Sequence, residues 1–222
     1  TFVRIDSIDG PGGTLAMAGP CLIRTGDGSP LIGIVILDRA DAIGPVQVDV
    51  ERVIAHELGH VLGIGTLWGD AERRLVEVGA GEVRFVGPRA VRVADWWGRS
   101  RRGGGLPLGV PLGGITGGVP DDGHWNEALF GRELMTPRLE TTGRPPLSLL
   151  TLEALADLGY LTSAAAAEQF AGYPEPDAGG LLAVRLPDAA FGVGAATAGP
   201  HDRVIRPRYR VTARRQLTPI PR

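Results

Sequence analysis

Val53-Ile-Ala-His-Glu-Leu-Gly-His-Val-Leu-Gly63 is the stretch on which the reading of this chain turns. His56 and His60 are four residues apart, so on a helix they stack on one face and can hold a single metal ion. Glu57 projects beside that face, where a carboxylate can take a proton from a water held by such an ion. Gly63 follows three residues after His60, where a helix stops in a left-handed residue and the chain turns. The five-residue pattern also arises in long helices whose two His are merely solvated. Apolar residues at Val50, Val53, Ile54, Leu58, Val61 and Leu62 argue for the metal, because they supply the buried face that such a helix requires. The spacing predicts a helix over 46–63.

Outward from this segment, the 222 residues suit one domain with an appendage, or two small lobes around a cleft. With 34 Gly and 18 Pro, loops make up much of the fold. All 23 basic residues are Arg, and they are unevenly placed. Residues 1–200 carry 16 Arg against 24 acids, a net −8, whereas residues 201–222 carry seven Arg against Asp202, a net +6. An Arg-rich end of this kind either touches nucleic acid or an acidic surface, or is a solvated tail; the tail is expected, and no nucleic-acid partner. No apolar run approaches the length of a membrane span. No basic-then-apolar secretory leader is present, and the expectation is that an amino-terminal part lies outside this chain. Cys21 is the only cysteine, which excludes an internal disulfide and reads as a small buried hydrophobe.

Along the chain, Phe2 to Asp6 alternates like a strand, Asp9-Gly-Pro-Gly-Gly13 makes a tight turn, and Thr14 to Ala18 is a short apolar stretch. A loop is expected from Gly19 to Pro30 and a buried strand from Leu31 to Leu37, ended by Asp38. After the helix, a hairpin over 74–86 turns at Gly79-Ala-Gly81, and a short helix near 88–97 contains Trp96 and Trp97. Gly103 to Gly118 reads as an extended surface loop. A helix from Ser148 to Leu158 starts on Ser148 as N-cap and ends at Gly159. A second helical piece is expected over 162–171.

Two His do not complete a catalytic metal site, which takes three protein ligands and leaves one position for water. His124 and His201 are the remaining imidazoles, and a downstream carboxylate such as Glu72 or Glu77 is the other option. In the compact pattern HExxHxxGxxH the third His would fall at position 66, where this chain has Thr66.

HELGHVLGIGTLW, a long insertion, GHWNEALFGRELMTP and LSLLTLEALADLGY together resemble the leishmanolysin family of metzincin zinc peptidases, in its bacterial form, over roughly residues 1–175. In that family a long insertion separates the first two His from the third; here His124 lies 64 positions after His60. A Met in a tight turn beneath the zinc follows, and Met135 matches it, 11 residues after His124. The resemblance implies that His56, His60 and His124 bind zinc, that Glu57 is the general base, and that Met135 forms the floor of the site. It implies an α+β, zincin-like fold: a twisted mixed sheet, an active-site helix above a cleft, and an irregular carboxy-terminal lobe with a helix. The lobes would be 1–64 and 65–175, lacking the first strand and helix of the family, with a poorly ordered tail over 176–222. The activity implied is endopeptidase cleavage of protein or peptide substrates, in an extracellular or cell-surface setting. The chain departs from the eukaryotic members in lacking their cysteines, and no Tyr closely follows Met135 to serve an oxyanion. Two rivals stay open: a zinc hydrolase with a Glu third ligand, and a non-catalytic fragment of a larger extracellular protein.

The segment from Asp9 to Asp41 is similar to a segment of the matrix metalloproteinases in which a turn wraps calcium. That resemblance implies carboxylates from Asp9, Asp38 and Asp41 and main-chain oxygens from Gly10, Gly12 and Thr14, a set suited to a hard cation. Ordinary turn chemistry accounts for the same residues. It also implies that Leu15, Ala16, Met17 and Ala18 form the edge strand to which an extended substrate adds.

Overall fold

The computed structural model describes residues 1–44, 48–70, 73–79, 82–102, 109–116, 119–138, 144–170, 201–204, 209–211 and 217–219. The chain opens with β1 (Phe2–Asp6), β2 (Thr14–Arg24) and β3 (Pro30–Asp38). β2 starts where the apolar stretch predicts but continues through the first half of the expected loop. Pro20 has no N–H to donate, and the ladder with β3 shifts register immediately after it, so a bulge carries the strand past the proline. β1 pairs parallel with β3, and β2 antiparallel with it.

A single turn, α1 (Arg39–Ala42), leads to α2 (Val50–Leu62), the predicted helix. The Asp49 side chain caps its start by accepting from Arg52 N at 3.3 Å, and Gly63 ends it at φ 114°, where a side chain would be strained. α2 lies on β2 and β3. Its contact with β3 is tight enough that a Cβ on Gly33 would overlap the Val61 side chain. Leu15, Ala16, Ala18, Val35, Leu37, Val53 and Val61 form the core between helix and sheet.

The second half is more regular than expected. β4 (Val76–Gly79) and β5 (Glu82–Phe85) make the predicted hairpin, followed by α3 (Pro88–Arg102). β6 (Val110–Thr116) and β7 (Val119–Trp125) then complete a four-stranded antiparallel sheet. β6 lies in what was expected to be a surface loop. Its buried Val110 and Leu112 alternate as a strand requires, but the glycines around them mask that period in the sequence. α4 (Glu127–Phe130) and α5 (Leu149–Asp157, capped by Ser148) follow. The Asp157 carboxylate accepts from the amides of Arg89 and Ala90, so α5 caps the start of α3. Trp68, Phe85, Trp125 and Phe130 are the largest fully buried residues of this second core, which also takes in Trp97 and Met135. In place of the helix expected over 162–171, the described residues hold only a 3-10 turn, Ala164–Ala166. Its three alanines are exposed, and without an apolar face to bury, helix propensity alone does not hold so short a piece.

The segment expected to be a loose tail contributes β8 (His201–Val204), β9 (Tyr209–Val211) and β10 (Leu217–Pro219). β8 and β9 pair parallel with β2, and β10 antiparallel with β9. The whole is a mixed α+β fold with two sheets and, among the described residues, five helices. Helix α2 packs on the mixed sheet. None of the described helices is long and apolar enough to cross a membrane.

Candidate metal centre

α2 turns its chemistry inward. Its buried residues are Val53, Glu57, His60 and Val61, a stripe at helical spacing, whereas Leu58 and Leu62, expected in the buried face, are each 39% exposed. Two valines thus seat the helix on the sheet, and the interior positions between them go to a carboxylate and an imidazole.

The His56 and His60 rings each use Nδ1 on a main-chain carbonyl: Leu134 O at 2.5 Å and Ile64 O at 2.9 Å. A carbonyl only accepts, so each Nδ1 carries the proton and each Nε2 of the neutral ring presents a lone pair. These lone pairs converge. His60 Nε2 lies 3.0 Å from His56 Nε2 and 3.1 Å from His124 Nε2. Imidazole nitrogens about 2.0–2.1 Å from a tetrahedral ion stand about 3.3 Å apart, so the spacing is close to that of a metal site. His56 and His124 lie with ring planes 18° apart, and His60 is nearly perpendicular to His124. Among the described residues, this is the one group of three or more His, Cys, Asp or Glu side chains able to reach a common ion. The three can bind a metal ion, and three nitrogen ligands leave a fourth position open.

His124 comes from β7, 64 residues after His60. Its approach depends on two glycines. Gly65 has φ +68°, and a Cβ on it would overlap the Gly123 carbonyl, so only a glycine lets β7 come this close to the end of α2. Thr66, at the compact-pattern position for a third His, instead donates its hydroxyl to His60 O at 2.8 Å and tightens the helix end. Of the carboxylate alternatives, Glu77 is exposed on β4 and outside the cluster, while Glu72 lies outside the described residues. His201 falls in β8, and its backbone pairs with Thr14.

Met135 lies under α2, its sulfur against Gly59, and Met135 O accepts from Trp125 N at 3.0 Å, which ties this turn to the residue after His124. Two residues earlier is a group with no obvious sequence signal, the buried Glu133. Its Oε2 accepts from Met135 N at 2.6 Å; its Oε1 accepts from Ser148 Oγ at 2.6 Å, Ser148 N at 3.2 Å and Thr151 Oγ1 at 2.5 Å. Burial pushes the Glu133 carboxyl up, against the pull of these four donors.

The acidic loop departs from the expected calcium cage. Asp38 Oδ2 accepts from the amides of Ile8, Asp9 and Gly10, and Oδ1 from Ala40 N. Burial pushes its carboxyl up, but the amides of Ile8, Ala40, Asp9 and Gly10 together outweigh it and hold the carboxyl below the usual carboxylate range. Asp41 Oδ1 accepts from Gly12 N, Asp9 accepts from the amide and hydroxyl of Thr14, and Asp41 Oδ2 is buried without a hydrogen-bond partner. Gly10, Gly12 and Thr14 therefore turn N–H groups toward the carboxylates, where a cation would need oxygens. The three carboxylates do not converge on one point as the His do.

The expected substrate edge is also corrected. Ala16, Met17 and Ala18 of β2 pair with Asp202, Arg203 and Val204 of β8, while β3 holds the other side of the strand, and Leu15, Ala16 and Ala18 are buried. The main-chain groups of this edge are taken by the chain itself.

No protein-family model matches the chain, and no curated protein matches it.

Proposed function

We propose that this chain is a zinc-dependent endopeptidase of the leishmanolysin-like metzincin type. The observation that carries the reading is the convergence of three imidazole Nε2 atoms, with the Nδ1 protons of His56 and His60 committed to carbonyls. An all-imidazole set suits zinc among several transition metals, and three protein ligands with one position left open is the pattern of catalytic zinc. Bound there, zinc would act as a Lewis acid and lower the pKa of a bound water to about 7.

Glu57 sits on the buried stripe of α2, between the two helical ligands in sequence. Its carboxylate takes the proton of the attacking water and returns one to the leaving amine, help worth roughly 10²–10⁴-fold. Burial keeps bulk water from competing for that proton. Met135 supports the floor. Peptide substrate and extracellular setting rest on the resemblance of HELGHVLGIG, GHW and ELMTP to the family.

A second reading, a metal-binding module without turnover, is favoured by β8, which pairs the β2 edge that an extended peptide would use. The experiment that separates them combines metal analysis with cleavage of an unstructured protein by wild type, Glu57→Gln and His124→Ala. The endopeptidase reading expects one zinc per chain, turnover lost with zinc retained in Glu57→Gln, and zinc lost in His124→Ala. Equal cleavage by wild type and Glu57→Gln would sink it. One zinc without any turnover would establish the second reading.

A further inference from the structure

We propose that Glu133 is a positioning residue for the metal centre, acting through the Leu134 carbonyl to fix the tautomer and ring orientation of His56. The proposal rests on the metal-centre reading above and adds to it a residue outside the ligand set. Glu133 is 1% exposed, and its two oxygens are held by different elements. Oε2 takes the Met135 amide of its own turn, and Oε1 takes the Ser148 amide and hydroxyl and the Thr151 hydroxyl from the first turn of α5. Every group on it is a donor, which is the partner set of an ionised carboxylate.

Thr151 Oγ1 in turn accepts from Trp125 Nε1 at 2.8 Å, and Trp125 is the neighbour of His124. The carboxylate is thus the junction of the turn 133–136, α5 and the end of β7. Leu134 lies between the two anchored residues of the turn. Its N–H donates to Pro146 O at 3.0 Å, and its carbonyl accepts the His56 Nδ1 proton at 2.5 Å. The Leu134 peptide is therefore clamped on both sides, and its oxygen has one place to be. With that oxygen fixed, the His56 proton stays on Nδ1 and the Nε2 lone pair stays aimed at the centre. Groups that orient a metal-ligating His in this way typically govern metal affinity by about 10–100-fold.

In Glu133→Gln the side-chain volume is kept, but an NH2 replaces one oxygen. Wherever it points, it meets an amide N–H, of Met135 or of Ser148, so the turn must shift. The test titrates Co2+ into the full chain against a chromophoric chelator and records the visible spectrum of the bound ion, for wild type, His124→Ala, Glu133→Gln and Thr151→Val. Unfolding of the metal-free proteins is measured in parallel. The expected result is Co2+ affinity lowered about 10–100-fold in Glu133→Gln, with a changed visible spectrum, and a smaller loss in Thr151→Val, which removes one donor to Oε1. A merely structural role would lower metal-free stability and leave the bound-ion spectrum as in wild type. That outcome overturns the proposal. Should Glu133→Gln not fold, Thr151→Val decides: wild-type affinity and spectrum there overturn the proposal as well. If wild type binds Co2+ and His124→Ala does not, the metal reading stands whichever way Glu133 falls. If wild type binds none, both fall together.

Discussion

The sulfur of Met135 rests against Gly59, so closely that a Cβ at position 59 would overlap Sδ and lie 2.8 Å from Cε. Gly59 stands between His56 and His60 on α2, so the turn holding Met135 meets the helix at the stretch that carries both of these imidazoles. On an exposed helix, replacing glycine by alanine would stabilise by about 1 kcal/mol. Here the added Cβ must displace Sδ and Cε of the fully buried Met135, and overpacking of a buried site costs about 1–3 kcal/mol. Gly59→Ala is expected to lower stability in urea unfolding and to weaken metal binding. A more stable variant with unchanged affinity would show that the contact does not constrain the helix.

Gly65 gives a second test at the other end of the helix. It combines a left-handed φ with backbone contact to Gly123, the residue before His124. Gly65→Ala adds left-handed strain of roughly 1–2 kcal/mol and pushes against a carbonyl, which cannot rotate away as a side chain would. The displacement falls on one ligand of three. Metal affinity is expected to drop about tenfold or more, read by chelator competition, with the far-UV spectrum of the protein retained.

What could be read in advance follows from where the physical signal is local. α2 declares itself through spacing and caps, from Asp49 to Gly63, and its two His are neighbours on one turn. The hairpin at Val76 to Phe85 and the Ser148 cap are local in the same way. The pairing of His124 with them is not local. It needs Gly65 and Gly123 to touch across the fold, and only resemblance to a family bridged that gap. β6 is not legible in the sequence because Gly113 and Gly114 dilute a strand of which two buried side chains, Val110 and Leu112, carry the pattern. β8 to β10 are not legible either, because an Arg-rich segment reads as solvated until a strand edge offers it hydrogen bonds. Glu133 carries no local signal, since four donors from two separated segments converge on it only after folding.

Calcium is expected to have no effect on this fold. A structural calcium site would have placed oxygens around a cavity, whereas the loop from Asp9 to Thr14 turns amides onto Asp38 and Asp41. Thermal unfolding with millimolar Ca2+ should match that with a calcium chelator. A rise of several degrees with Ca2+, lost in Asp41→Asn, would instead assign the unpartnered Asp41 Oδ2 to a bound cation.

The same loop sets part of the acid limit of stability. Asp38 is held below the ordinary carboxylate range because its four amide donors together outweigh its burial. The sign follows from that direction: the stabilisation is fully present above the pKa of the unfolded chain and is lost as pH falls through the lower, folded value. Glu133 works in the opposite sense, since burial raises it and protonation on the way to acid relieves that cost. The two are separated by comparing wild type with Asp38→Asn rather than by the overall profile. In the variant an NH2 must face one of the amides that Asp38 now accepts, so stability near neutrality should fall by about 1 kcal/mol or more. The gap between the two proteins should then narrow as pH drops below the ordinary aspartate range. A gap that stays constant to the acid end of the titration would mean that Asp38 contributes by shape and not by charge.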